Sequence, residues 1–377
     1  MSHKRAFACA LICLSLAGCS SKGLEPSPLP QFRPSVDARV DWRATTGIAR
    51  GYMFSPVSFK GMVCAAGGDG RLSCFDAERG ARVWVSRPGV AASGGVGTGE
   101  NMLLIGTNQG EVIAYEANGN VLWRSRVSSE VLSSPAAAGS TVVVRSGDSQ
   151  VFGLDARDGR QLWVYQSPPQ SLILRATPGI VMVDENAMIS GFPGGRLTKL
   201  DTRDGSLLWD IAVATPRGNN ELERMTDVAG TPLIEGEAVC AVAFQGRIGC
   251  FDTEKGEQIW ARSASSAGSI VADGQNVYYT EADGTVVAYD KVSGASVWRQ
   301  EKLLYRRVSS PVLIGEWLVV GDFEGYLHVL SPSDGAFVGR VATDGSAIVT
   351  SPLRVGERVV VQTERGGLFA IGFRPRS

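Results

Sequence analysis

Short apolar runs that alternate with polar turns recur along the whole chain, and residues 284–298 show the pattern most completely. The unit reads Gly, any residue, an apolar run, an Asp, a Gly four residues after the Asp and a Trp four residues after that Gly. An internal period of this kind determines the architecture before any single element does. The tryptophans of the related units are Trp84, Trp123, Trp163, Trp209, Trp260 and Trp298, and Gly339 occupies the seventh such position.

Each unit predicts a meander of short antiparallel strands. Residues 276–280 and 286–289 predict two strands joined by a hairpin at Asp283-Gly284. Residues 291–294 predict a turn whose glycine takes a positive φ angle, and residues 296–298 begin the next strand. Most units also carry a Ser-Pro or Thr-Pro pair upstream, which suits a short strand at the edge of a sheet.

Four strands per unit and a period of about 40 residues are typical of the blades of a β-propeller. The seven Trp-type positions and a last repeat that ends before its Trp predict eight four-stranded antiparallel blades over residues 36–374. Residues 40–42, Val-Asp-Trp, supply the strand that the last blade lacks. The sequence therefore predicts an all-β ring that closes when the N-terminal strand pairs with the last blade.

The first 18 residues have the pattern of a signal peptide. Lys4 and Arg5 precede an apolar stretch that is too short to span a bilayer, and Leu-Ala-Gly-Cys ends at Cys19. This ending resembles the bacterial lipobox, which implies that Cys19 is lipidated; the alternative is an ordinary signal with a chance cysteine. Ser20 follows Cys19, which by resemblance to sorted lipoproteins implies the outer membrane. Residues 19–35 are rich in proline and predict a flexible tether.

Four cysteines remain after the leader and Cys19 are set aside. Cys64 and Cys74 straddle one hairpin and Cys240 and Cys250 another, each pair ten residues apart. Both pairs fall at the non-hydrogen-bonded positions where antiparallel strands come closest. In an oxidising periplasm this spacing predicts two cross-strand disulfides. The alternative is four buried thiols.

Two connections between blades are longer than the others. Residues 166–176 form the first insertion and residues 214–230 the second, and both join the last strand of one blade to the first strand of the next. They are therefore predicted to emerge from adjacent blades on one face of the ring. The first insertion places Leu172, Ile173 and Leu174 beside Arg175, a composition typical of an interface. The alternative is that these aliphatic side chains fold back and cap the blades.

Charge and histidine content exclude several classes of function. Removal of residues 1–18 leaves 35 basic against 38 acidic residues, a net charge of −3, which argues against nucleic acid as a partner. His328 is the one histidine outside the leader, so a metal site built from several histidines cannot form, and no Gly-x-Ser-x-Gly pattern indicates a Ser-His triad. We predict a structural role for His328, no metal site, no cofactor and no catalytic residues.

The repeat resembles that of the quinoprotein (PQQ) dehydrogenases, but the adjacent Cys pair of those enzymes is missing. The lipobox, the repeats and the two insertions together resemble the BamB family, the lipoprotein subunit of the β-barrel assembly (BAM) machinery. Leu172, Leu174 and Arg175 match a family stretch that contacts the periplasmic POTRA domains of BamA. Residues 221–228 resemble the family's second loop, which implies that Arg224 and Asp227 also contact BamA, although Ala229 replaces the loop's second Asp.

The resemblance implies a non-enzymatic scaffold on the periplasmic face of the outer membrane, anchored through Cys19. Its expected partners are BamA and the BAM complex, with unfolded outer-membrane proteins as further candidates. Its expected role is to support the folding and insertion of β-barrel proteins. The alternatives are a quinoprotein-like enzyme, which cofactor absorbance would reveal, and another envelope-binding propeller.

Overall fold

The computed structural model describes residues 24–49, 51–175 and 178–376. Nearly all regular secondary structure in these ranges is β-strand, as the repeat predicts, and one short helix is also present. The predicted signal peptide and Cys19, the predicted lipidation site, lie outside the described residues. No helix within the described ranges is long and apolar enough to cross a membrane.

The strands are short, and most have three to seven residues. The first half of the chain contains β1 (Val36–Thr45), β2 (Val57–Phe59), β3 (Met62–Ala66), β4 (Leu72–Asp76), β5 (Arg82–Ser86), β6 (Gly97–Thr98), β7 (Leu103–Gly106), β8 (Glu111–Tyr115), β9 (Val121–Arg126), β10 (Ala136–Ala138), β11 (Thr141–Arg145), β12 (Gln150–Asp155), β13 (Gln161–Gln166), β14 (Ile180–Met182), β15 (Ala187–Phe192), β16 (Arg196–Asp201) and β17 (Leu207–Ala212). The second half contains α1 (Glu221–Arg224), β18 (Leu233–Glu235), β19 (Ala238–Val242), β20 (Gly246–Asp252), β21 (Gln258–Ala264), β22 (Val271–Ala272), β23 (Asn276–Thr280), β24 (Val286–Asp290), β25 (Ser296–Gln300), β26 (Val312–Ile314), β27 (Trp317–Gly321), β28 (Tyr326–Leu330), β29 (Phe337–Ala342), β30 (Leu353–Val355), β31 (Arg358–Gln362) and β32 (Gly367–Pro375).

Consecutive strands form four-stranded antiparallel meanders, an arrangement consistent with a β-propeller. Five sheets follow chain order: β2–β5, β14–β17, β18–β21, β22–β25 and β26–β29. The meanders β6–β9 and β10–β13 are linked into one eight-stranded sheet by a single parallel pair, Thr98 with Ala136. The remaining sheet has the order β1-β32-β31-β30, so the first strand of the described chain pairs with the last.

The core consists of apolar layers between neighbouring sheets. The second and third strands of each meander are buried almost throughout, as in β11, whose five residues are all buried. The fourth strand alternates, since β13 buries Trp163 and exposes Leu162 and Val164. This is why the second and third strands appear in the sequence as continuous apolar runs, the pattern of strands buried on both faces.

The repeat tryptophans join neighbouring four-stranded meanders. In seven of the eight meanders the indole Nε1–H of the fourth strand donates a hydrogen bond to a backbone carbonyl at the turn that precedes the fourth strand of the next meander. The pairs are Trp42 with Ala77, Trp84 with Ala117, Trp123 with Ala156, Trp163 with Thr202, Trp209 with Thr253, Trp260 with Lys291 and Trp298 with Pro332, at 2.7–3.1 Å. Because Trp42 belongs to β1, the sheet at the end of the chain is joined to β2–β5 in the same way.

The glycine of the repeat is needed for two reasons, which Gly205 illustrates. Its φ is +74°, as the sequence predicts for the turn. A Cβ at this position would also lie 2.5 Å from the ring of Trp163 on the preceding sheet. The indole therefore packs directly on the backbone of the turn, and any side chain at this glycine would displace it.

The segment before β1 differs from the predicted flexible tether. Residues 24–35 contain no strand, but the Ser27 N–H donates to Leu304 O at 2.9 Å and the Ser35 N–H donates to Val338 O at 2.9 Å. Phe32 also packs on Phe337, with ring centroids 5.7 Å apart. Prolines restrict the unfolded segment, so ordering it costs less conformational entropy than ordering an ordinary linker.

Candidate partner-docking site

The first insertion carries an exposed apolar surface. Leu172 and Ile173 are 38% and 36% exposed, Leu174 is half-buried, and Arg175 is exposed. The Arg175 guanidinium lies 5.5 Å from the ring centroid of Tyr52, in the connection between β1 and β2, which orients it by a cation–π contact. The aliphatic side chains therefore only partly fold back, and two of them remain open to a partner.

The second insertion contains one helical turn, α1. Asn220 caps α1, its side-chain oxygen accepting a hydrogen bond from the Glu223 N–H at 2.9 Å. The Glu223 carboxylate accepts from the N–H of Asn219, the residue before the cap, at 2.7 Å, so the first turn also binds the backbone that leads into the helix. Leu222 and Arg224 project from this turn and are exposed.

Asp227 joins the two insertions. Its Oδ2 accepts a hydrogen bond from the Leu174 N–H at 2.6 Å, and its Oδ1 accepts from the Gly194 N–H at 3.1 Å. Its own carbonyl accepts from the Phe244 N–H at 2.8 Å. Asp227 is only 4% exposed, so the structure does not give it the accessible position of a direct contact. The carboxylate positions Leu174 and, through it, the apolar surface.

Arg145, at the end of β11, is a further residue of the site that sequence reasoning missed. It is 7% exposed, donates to Gly191 O, and lies 4.5 Å from the ring centroid of Phe192. Burial lowers the pKa of Arg145 to about 10, and the Asp227 carboxylate opposes that shift, so the side chain stays charged at neutral pH. The available signal was an arginine that ends a buried run of three valines.

Arg145 lies at a cavity of about 220 Å³ beneath the two insertions. Ile173, Leu174 and Arg175 contribute one side of the lining, and Asp227 and the buried Ala229 contribute another. Ala229 stands where the family pattern has a second acidic residue, so Asp227 is the one carboxylate that these residues contribute to the wall. The arrangement offers a recess next to an exposed aliphatic surface, with Arg175 at its margin.

The described residues contain no cluster of three or more histidine, cysteine or acidic side chains that could hold a metal ion. His328 is fully buried, and its Nε2 lies 2.9 Å from Asp322 Oδ2. Burial lowers the pKa of His328, and the hydrogen bond to Asp322 opposes the shift. His328 therefore lies inside the β26–β29 sheet and does not line a cleft.

The four remaining cysteines lie where the sequence predicts. Cys64 pairs with Cys74 across β3 and β4, and Cys240 pairs with Cys250 across β19 and β20, with Cα atoms 4.1 and 4.0 Å apart. In the structure the two sulfur atoms of each pair are bonded to each other.

We expect both pairs to be oxidised in the native protein isolated without reductant. Alkylation without reductant, followed by mass spectrometry, should find no modified cysteine among these four, and reduction in denaturant should make all four reactive. Four alkylated cysteines in the non-reduced protein would contradict the disulfides.

Comparison with known proteins identifies the family. Residues 68–300 and 282–373 match the family described as outer membrane protein assembly factor BamB. A BamB from Burkholderia pseudomallei is 38% identical over 372 residues, covering 98% of this chain and 97% of that protein. This chain belongs to the BamB family. A second BamB, from Nitrosomonas eutropha, is 42% identical over 334 residues, covering 88% of this chain and 81% of its own length.

Solved structures agree with this assignment. The BamB crystal structure from Moraxella catarrhalis superimposes with a TM-score of 0.83 at 25% identity and covers 89% of this chain and all of that one. A quinohemoprotein alcohol dehydrogenase from Comamonas testosteroni gives a TM-score of 0.70 at 14% identity, covering 90% of this chain and 77% of its own. The dehydrogenase shares the fold with BamB, and at this identity the likeness extends to the fold alone.

Proposed function

We propose that this chain is a non-enzymatic subunit of the BAM complex that docks on the POTRA domains of BamA and supports the folding and insertion of β-barrel proteins. The two insertions carry this proposal, because the buried Asp227 holds them together and leaves Leu172, Ile173 and Arg175 exposed beside a recess. The family is described as an outer membrane protein assembly factor, which names no reaction.

We infer that the sheets are eight blades of one closed ring. The eight-stranded sheet divides at the Thr98–Ala136 pair into two meanders of the same form as the others, which gives eight units. The pairing of β1 with β32 and the hydrogen bond from Trp42 to Ala77 both link the end of the chain to its beginning. A closed ring has no free sheet edge at a seam, which would explain why the first strand belongs to the last sheet.

Within this proposal, the docking residues have different roles. Leu172 and Arg175 contact the partner directly, Leu174 does so at the mouth of the recess, and Arg224 contributes charge at the margin. An arginine beside desolvated aliphatic side chains is a common anchor of protein interfaces. Asp227 acts through the other residues and is a positioning residue.

The proposed location follows from Cys19. A lipid on this residue would hold the ring at the periplasmic face of the outer membrane, as the lipobox resemblance implies. Docking on BamA from this position needs no spanning segment.

Site-specific photocrosslinking tests which face meets BamA. A crosslinking amino acid at Ser171, exposed in the first insertion, should form a covalent product with the POTRA region. The matched control places the same amino acid at Glu316, exposed in the β26–β27 turn on the opposite face, and should form none. A product from Glu316 and none from Ser171 would move the docking site to the other face.

A further inference from the structure

The proline-rich segment before β1 is held on the β26–β29 sheet by two arginines. Arg306 donates from Nη1 to Ser27 O at 3.0 Å, and Arg340 donates from Nη2 to Pro30 O at 2.8 Å. The Arg340 guanidinium also lies 5.1 Å from the ring centroid of Phe32. Hydrogen bonds from a charged donor to a carbonyl are stronger than neutral ones, so these contacts are more than incidental packing. We call residues 27–35 the strap.

The arginines are themselves fixed by a buried polar network. Arg306 is 3% exposed and donates to Asp322 Oδ2 from Nε at 2.9 Å and from Nη2 at 2.8 Å, and it also pairs with Glu324. Asp322 accepts from His328, whose Nδ1 in turn accepts from Arg340 Nε at 3.3 Å. His328 therefore links the two arginines that hold the strap, which gives the single described histidine a defined structural task.

The end of the strap is clamped on two sides. The Ser35 N–H donates to Val338 O at 2.9 Å, and the Ser35 carbonyl accepts from the Arg376 N–H at 2.7 Å. Gly339, which takes the place of the repeat Trp, has the Val36 carbonyl 3.1 Å from where a Cβ would lie. At this sheet the strap and the start of β1 occupy the side on which other sheets carry an indole.

The direction of the strap determines the face at which the N-terminal segment leaves the ring. Ser35 lies beside Val338, near the start of β29, whereas Ser27 lies beside Leu304, in the connection from β25 to β26. That connection joins a fourth strand to the first strand of the next sheet, as both insertions do. Ser27 is therefore at the same face of the ring as the proposed docking surface.

We propose that the strap brings the membrane anchor to the face that carries the insertions and so turns this face, rather than the opposite one, toward the lipid surface. The proposed orientation of the ring on the membrane rests on the proposed lipid at Cys19. The contacts of the strap with the ring do not depend on that lipid. Ser27 follows Cys19 by eight residues, which span at most about 29 Å. Without the strap, the free tether would be the 17 residues from Cys19 to Val36, which could reach about 60 Å, so the strap roughly halves the reach of the anchor and starts it at the face of the insertions.

Hydrogen–deuterium exchange of the full mature chain tests the strap. We expect the Ser27 and Ser35 amides to be protected in the wild type. The double variant Phe32→Ala/Arg340→Ala should exchange the Ser27 amide roughly tenfold faster or more, because it loses a charged hydrogen bond and an aromatic contact. Arg307→Ala is the matched control, since this neighbouring arginine is exposed and pairs with Glu364 instead of the strap. Strap amides that exchange at free-peptide rates in the wild type would overturn the strap.

Energy transfer on vesicles tests the orientation. The lipidated chain receives one fluorophore, and the lipid headgroups carry the acceptors. The label is placed at Lys302→Cys, in the connection that binds Ser27 of the strap, or at Glu316→Cys, on the opposite face. The Lys302 label should transfer more efficiently, since one strand length of about 17 Å separates the two faces, and Phe32→Ala/Arg340→Ala should reduce the difference. Equal transfer with a protected strap would overturn the orientation. A chain that does not associate with vesicles would overturn the anchor and the orientation with it, while the exchange experiment would still judge the strap.

Discussion

Replacement of Asp227 by alanine is expected to weaken binding to the POTRA region of BamA roughly thirtyfold, a loss of about 2 kcal/mol, although this side chain is buried. The carboxylate accepts the Leu174 and Gly194 N–H groups, and alanine would leave both donors without these bonds. The first insertion would then no longer be held against the second. The exposed aliphatic surface would lose its fixed arrangement before any partner contact is made.

Two further variants separate positioning from direct contact. Asp227→Asn keeps one carbonyl oxygen and should lose less affinity than Asp227→Ala. Glu221→Ala changes an exposed acidic residue of α1 in the same insertion and should bind like the wild type. Isothermal titration with each variant measures the difference, and circular dichroism verifies the fold. An Asp227→Ala protein that is folded and binds like the wild type would show that the carboxylate does not organise the site.

Removal of one repeat indole is expected to have the largest effect on stability. Trp163→Ala should destabilise the fold by about 3–5 kcal/mol, the usual cost of deleting a buried tryptophan. The indole is 7% exposed, donates to Thr202 O at 2.8 Å, and packs on the backbone of Gly205 in the next sheet. Its loss opens a cavity and leaves a carbonyl at the sheet boundary without its donor.

Urea denaturation measures this effect, and the neighbouring residue supplies the control. Val164→Ala changes an adjacent position of β13 that is 42% exposed, and it should alter stability by less than about 0.5 kcal/mol. Gly205→Ala places a methyl group against the same indole and should be strongly destabilising. Unfolding of Trp163→Ala at the urea concentration of the wild type would contradict the role given to the indoles.

Local patterns predicted the strands well, because the strands, the turns and the repeat period all depend on residues that are close together in the sequence. Residues 276–280 form the predicted strand without any shift, and the strand predicted at 286–289 extends by one residue to Asp290. The insertions were visible as extra length between repeats. The glycine of each unit was correctly placed in a turn, but its contact with an indole from the preceding sheet was not predictable from one unit.

What the sequence could not provide depends on contacts between distant residues. Asp227 looked like an accessible acidic residue because its partners, the N–H groups of Leu174 and Gly194, belong to other segments of the chain. The strap looked flexible because Arg340 lies 310 residues from the Pro30 carbonyl it binds. Arg145 carried a weak signal, a charge at the end of a buried strand, whose meaning required the Phe192 ring beside it.

The central claim, that the two insertions dock on BamA, is tested most directly by titration of the soluble chain that begins after Cys19 into the isolated POTRA region. We predict that the wild type binds and that Leu174→Ala with Arg175→Glu reduces affinity about thirtyfold or more while the fold survives. Equal binding by wild type and double variant, or no binding by the wild type, would contradict the account.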